Sequence, residues 1–138
     1  MTRTILVVDD DPAFVAESEE LFSTAGYRVL QASDGIRAVR LLDEMHQKID
    51  LAIIDLSLPG INGFELIGSL SRRPNGVKII ATSGVYKDAQ LESATALGAH
   101  AAIRKPPVIQ HIPERLWLST VRRLIGDPLS DTCGPVTR

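Results

Sequence analysis

The stretch "ILVVDDDP", residues 5–12, decides the fold, because it sets three acids directly behind four consecutive apolar residues. Ile5, Leu6, Val7 and Val8 show no polar alternation, so both faces of the run must be covered, as in a strand inside a parallel sheet. Like charges stacked at the end of such a strand add nothing to a core. Pro12 suits the first position of a helix, and Asp11 before it suits the N-cap. Capping uses one acid. Asp9 and Asp10 remain to be explained.

Outward from this stretch, short apolar runs alternate with segments of helical spacing. The runs are Thr4–Val8, Arg28–Gln31, Leu51–Ile54, Val77–Ala81 and Ala101–Arg104. Ile5–Val8, Leu51–Ile54 and Ile79–Ala81 are uninterrupted and suit central strands, whereas the two mixed runs suit sheet edges. Helical stripes are formed by Phe14, Ser18, Leu21/Phe22 and Ala25, by Ala38, Leu41/Leu42 and Met45, by Leu91, Ala94 and Leu97, and by Leu116, Thr120 and Leu124. A shorter helix runs from Gly63 to about Leu70, ahead of the turn-forming "RRPNG". Gly26 and Gly98 stand where helix C-caps belong. Five strands alternating with five helices imply βαβ crossovers and an α/β fold with a five-stranded parallel, doubly wound sheet. The common strand order for such a domain is 2-1-3-4-5, the flavodoxin-like arrangement.

The 138 residues suffice for one domain and not for two. With 44% apolar residues, 23% charged residues and a net charge of −2, the chain has no global basic surface for nucleic acid or anionic membrane. Cys133 is the only cysteine, which excludes an internal disulfide and a cysteine-based zinc cluster. No apolar run is long enough for a signal peptide or a membrane span. The expectation is a cytoplasmic domain over residues 1–126, followed by a flexible polar tail over 127–138.

In doubly wound sheets the working site lies beyond the carboxyl ends of the strands, at the switch point between strands one and three. Here those ends carry Asp9 and Asp10, Asp55, Ser83 and Lys105. Three carboxylates in one crevice repel unless a cation joins them. Hard oxygen donors without histidine or cysteine select Mg²⁺ or Mn²⁺ over zinc or copper. A carboxylate beside such an ion can accept a phosphoryl group as an acyl phosphate, with Lys105 and the Ser83 hydroxyl holding further oxygens.

Four segments now carry a resemblance. "ILVVDDDP", "DLAIIDLSLPGINGFELI", "VKIIATSG" and "GAHAAIRKPP" resemble the signature segments of response-regulator receiver domains, with 28 residues from Asp55 to Ser83 and 22 more to Lys105. The resemblance implies that Asp55 is the phosphoacceptor, charged by a sensor histidine kinase or a histidine phosphotransfer protein. It implies Mg²⁺ bound by Asp10, Asp55 and the Ser57 carbonyl, with Asp9 acting through water. It also implies a cis Lys105–Pro106 bond, and an influence of Ser57 and Val85 on how easily water reaches the acyl phosphate. Thr82 is a competing hydroxyl, but strand alternation turns it away from Ser83, and family spacing favours Ser83. His46, His100 and His111 are isolated and suit loop roles.

The departures concern output. Receivers usually carry an aromatic residue three positions before the lysine; Ala102 stands there, and a methyl group cannot report by changing rotamer. Tyr86 is a substitute to consider. "KPPVIQHIPERLWL" delays the last helix to a start near Pro113, which alters a surface where receivers dock or form homodimers. No effector fits after Ile125, so the expected role is a stand-alone regulator or phosphorelay intermediate that docks on a downstream protein, and the start methionine favours that over an excised domain. Beyond its own phosphorylation and dephosphorylation it is not a conventional enzyme. An unphosphorylated pseudo-receiver scaffold is the alternative, although such proteins usually lose the acids or the lysine. A flavodoxin-like cofactor binder would need a small-residue phosphate loop where "DDDPAF" stands. A haloacid-dehalogenase-type phosphatase would want an acid where Ser57 stands.

Overall fold

The computed structural model describes residues 2–44, 48–58, 60–73, 76–84, 88–106 and 111–128. Met45, His46, Val85, Tyr86 and Cys133, named above, lie outside the described residues.

Strands and helices alternate throughout: β1 Thr4–Val8, α1 Pro12–Thr24, β2 Arg28–Ala32, α2 Gly35–Glu44, β3 Leu51–Asp55, α3 Gly63–Ser71, β4 Lys78–Ser83, α4 Asp88–Leu97, β5 Ala101–Arg104 and α5 Glu114–Ile125. The five strands form one sheet in the order β2-β1-β3-β4-β5, with every neighbouring pair parallel. This is the expected order. β1 and β3 are buried at all five positions, while β2 and β5, with mixed sequences, occupy the edges.

Alternation along the central strands feeds two cores. Ile5, Val7, Leu51, Ile53, Ile80 and Ile103 pack with Phe14, Phe22, Trp117 and Val121 of α1 and α5. Leu6, Val8, Ala52, Ile54, Ile79 and Ala81 pack on the other face with α2, α3 and α4. The pleat therefore makes Asp9, Asp55, Thr82 and Lys105 continuations of the α1/α5 face, and Ser83 a continuation of the other.

Three expectations need correction. β4 runs on to Ser83, beyond the expected Ala81, because Thr82 and Ser83 still find register partners in Ile103 and Arg104. On α5 the inward stripe is Trp117, Thr120, Val121 and Ile125, one position round from the expected Leu116 and Leu124. Trp117 and Phe14 make an edge-to-face contact at 5.9 Å, and the large ring turns the helix so that Leu116 is left 49% exposed. On α4, Leu97 is also exposed: it precedes Gly98 in the last turn, where the chain leaves the core.

Among the described residues no peptide bond is cis, so Lys105–Pro106 is trans, contrary to expectation. A trans X–Pro bond is the lower-energy state by about 0.5–1 kcal/mol. The lysine ammonium reaches the acids at the end of β1 without leaving it.

Candidate functional site

The crevice is assembled by backbone bonds that tie strand ends together. Asp9 N donates to Ala32 O, Leu56 N to Thr82 O, and Lys105 N to Ser83 O. These bonds extend the ladders one residue past the strands, so the residues carrying charge are held as firmly as the sheet. Asp11 caps α1, accepting from Ala13 N at 3.1 Å with Pro12 in the first turn, as the opening stretch requires.

Asp9, Asp10 and Asp55 each offer a carboxylate oxygen, all within 4.8 Å of one another. Asp9 and Asp55 are buried and Asp10 is exposed, leaving one side open to solvent. The donor set is oxygen only and anionic, which fits a hard divalent cation. Lys105 Nζ enters the same cluster, 3.1 Å from Asp9 Oδ2, 3.8 Å from Asp55 Oδ2 and 3.9 Å from Asp11 Oδ2. It also stands 4.8 Å from the centre of the Phe14 ring. Burial pushes the Asp9 carboxyl up to about 6, against the pull of the Asp11 N–H that it accepts at 2.9 Å; Asp55 raises it further and Lys105 lowers it.

Ser57 does more than its position suggests. Its N–H and its hydroxyl both donate to Asp55 Oδ1, at 3.1 and 3.0 Å. One carboxylate oxygen is thus fixed, and the other, Oδ2, is turned toward the ammonium. The loop that carries Ser57 is folded back by Gly63, where a Cβ would stand 2.5 Å from Leu56 Cα. No side chain other than glycine fits there.

Ser83 is fully buried at the end of β4, one residue beyond Thr82, the register partner of Asp55. Asp9, Asp10, Asp55, Ser57 and Lys105 are therefore gathered at one point, with Ser83 at its rim on the other face of the strand. Asp9 is also the principal partner of Lys105, a contact that the sequence did not announce. Sequence reasoning missed the Ser57 hydroxyl and the Phe14 ring. Phe14 was legible as a core position in the first turn of α1, but a helical stripe cannot say that its first member lies under the lysine.

Comparisons with known proteins agree with this geometry. Residues 5–116 match the family model described as the response regulator receiver domain. The chain is 32% identical over 106 residues, 77% of its length, to response regulator GtcR of Aneurinibacillus migulanus, of which it spans 43%. It is 26% identical over 112 residues to sporulation initiation phosphotransferase F of Bacillus subtilis (strain 168), covering 81% of this chain and 89% of that protein. Other relatives are longer: the match spans 27% of a cyclic di-GMP phosphodiesterase from Thermotoga maritima. Among solved structures, a CheY-like receiver domain protein from Methanospirillum hungatei JF-1 superposes with a TM-score of 0.78 at 25% identity, over 89% of this chain and 93% of that one. A response regulator described as putative, from Chloroflexus aurantiacus J-10-fl, shares the fold with a TM-score of 0.80, over 91% and 98% of the two chains. With the sheet order, the acidic crevice and a family match over four-fifths of its length, the chain belongs to the response regulator receiver domains.

Proposed function

We propose that Asp55 accepts a phosphoryl group from a phosphohistidine on a sensor kinase or phosphotransfer protein, and that the resulting change at the crevice alters a docking surface for a downstream protein. The observation that carries this reading is the convergence of three carboxylates and one ammonium, with Asp55 Oδ2 3.8 Å from Lys105 Nζ. Asp9, Asp10, Asp55 and the Ser57 carbonyl are the groups that would hold Mg²⁺ or Mn²⁺. When bound, the ion neutralises charge on the transferring phosphoryl oxygens.

The residues of the chain do the rest. Ser57 holds Asp55 Oδ1, so Oδ2 is the oxygen presented for in-line attack. The P–N bond to the donor imidazole breaks as the P–O bond to Oδ2 forms, and the imidazole leaves with the bonding electron pair. Lys105 exchanges carboxylate oxygens for phosphoryl oxygens, a second cation for the charge that Asp55 gains. Ser83 offers its hydroxyl to another of those oxygens. Loops after β4 and β5 are thereby biased between two arrangements. The match to the sporulation phosphotransferase supports a regulator or relay intermediate.

Intact mass after acetyl phosphate and Mg²⁺ tests the reading. One added phosphoryl group, lost with EDTA and lost in Asp55→Asn, is expected. No addition under conditions that label a control receiver, from acetyl phosphate or from a kinase, would favour an unphosphorylated scaffold.

A further inference from the structure

We propose that Phe14 is a positioning residue for Lys105, and that its edge contact with Trp117 carries the state of the crevice to α5. The inference rests on the receiver reading above and deepens it.

Ala102, at the position where an aromatic ring usually reports, packs against the α2/α3/α4 core and has nothing to rotate. An aromatic path exists on the opposite face. Lys105 Nζ lies 4.8 Å from the Phe14 ring centre, and Phe14 meets Trp117 edge to face at 5.9 Å and 62°. Phe14 is 5% exposed, Trp117 1% and the Lys105 side chain 13%, so the cation, the ring and the indole form one column that is closed to water at the rings and largely shielded at the ammonium. A desolvated ammonium over a ring face is held more strongly than one in water. Phe14 therefore adds to Asp9 in setting where Lys105 waits. When Lys105 moves to a phosphoryl oxygen, its position over Phe14 changes, and the edge contact with Trp117 feels it. Trp117 Nε1 is buried with no hydrogen-bond partner among the described residues, so no such bond pins the indole in place. Trp117 sits in the first turn of α5, so a shift of its ring is delivered to the outer face of that helix.

Trp117 is the only tryptophan of the chain, so its emission reads this column alone. The protein would be titrated with beryllofluoride in the presence of Mg²⁺, following Trp117 emission, with intact mass after acetyl phosphate as an independent measure of charging. Emission should change and saturate with the probe. Phe14→Leu and Phe14→Met, both checked for folding by circular dichroism, should lose that change and tighten beryllofluoride binding by up to about three- to tenfold, because the native protein gives up one cation–π contact when Lys105 moves. Phe14→Tyr should restore both, which a merely space-filling role would not require. Charging of the native protein with unchanged Trp117 emission would overturn the proposal while leaving the receiver reading intact. Equal affinity and equal emission change in a folded ring-less variant would overturn it too. Neither charging nor binding would overturn both.

Discussion

At the scale of single residues, the crevice costs stability. Asp9 is buried among like charges, and its carboxyl titrates near 6 against an ordinary 3.8. A raised acid contributes stability that is fully present below 3.8 and is lost as pH rises through about 6. Without metal, urea midpoints should therefore fall between pH 4 and pH 7, and Asp9→Asn should flatten that slope. At pH 7 the variant should be more stable by about 1–3 kcal/mol, since Lys105 keeps Asp55 and Asp11 within reach. Thr82 raises a second residue-scale question. Its hydroxyl is fully buried and has no partner among the described residues. Thr82→Val keeps shape and removes an unpaired polar group, so a gain of about 1 kcal/mol in urea unfolding is expected. The receiver spacing from Asp55 and to Lys105 assigns the phosphoryl-binding hydroxyl to Ser83, so Thr82→Val should leave charging by acetyl phosphate as it was, whereas Ser83→Ala should slow it.

At the scale of elements, Gly63 shows how a loop fixes chemistry. A Cβ there would run into the Asp55 carbonyl and Leu56 Cα, both backbone atoms that cannot step aside. Gly63→Ala should cost about 1–3 kcal/mol in thermal or urea unfolding, and should lower the rate of charging by displacing the Ser57 loop from Asp55. The acids, the sheet order and the lysine were legible because each depends on position along a strand, and period-two spacing is rigid. What depended on volume was not. The α5 stripe is rotated by one residue because the ring of Trp117 outweighs Leu116 in filling the space beside Phe14. The end of β4 was underestimated because two hydroxyls resemble a loop until their partners on β3 and β5 are known. His100 is similar: its Nδ1 accepts from Ile79 N at 3.1 Å, a neutral imidazole extending the β4–β5 ladder that no local pattern announces. Burial and Lys78 lower its pKa, which keeps that acceptor available.

At the scale of the molecule, the two ends of the sheet have divided tasks. The carboxyl ends carry the unstable, charged crevice, and the amino ends are closed by the chain that follows α5. Tyr27, 3% exposed, donates its hydroxyl to Gly126 O at 2.7 Å, and Arg3 N donates to Pro128 O at 2.9 Å. Arg3 O in turn accepts from Arg28 N, so Gly126–Pro128 continues the bonding of β1 and β2. The Pro128 ring covers Gly26, whose φ of +108° and whose 3.2 Å clearance for a Cβ both favour glycine. A chain ending at Pro128 should therefore be more stable than one ending at Ile125 by about 1–3 kcal/mol, from three hydrogen bonds, the third being Gly126 N to Arg122 O, and one buried hydroxyl left unpaired. Charging at Asp55 should be equal in the two, since the crevice lies at the far end of the strands. Tyr27→Phe separates the contributions. In the chain ending at Pro128 it should cost about 1 kcal/mol, and in the chain ending at Ile125 it should be neutral or stabilising, because the hydroxyl has already lost its acceptor. Equal costs in both backgrounds would mean that the Tyr27–Gly126 bond contributes nothing to closing this end.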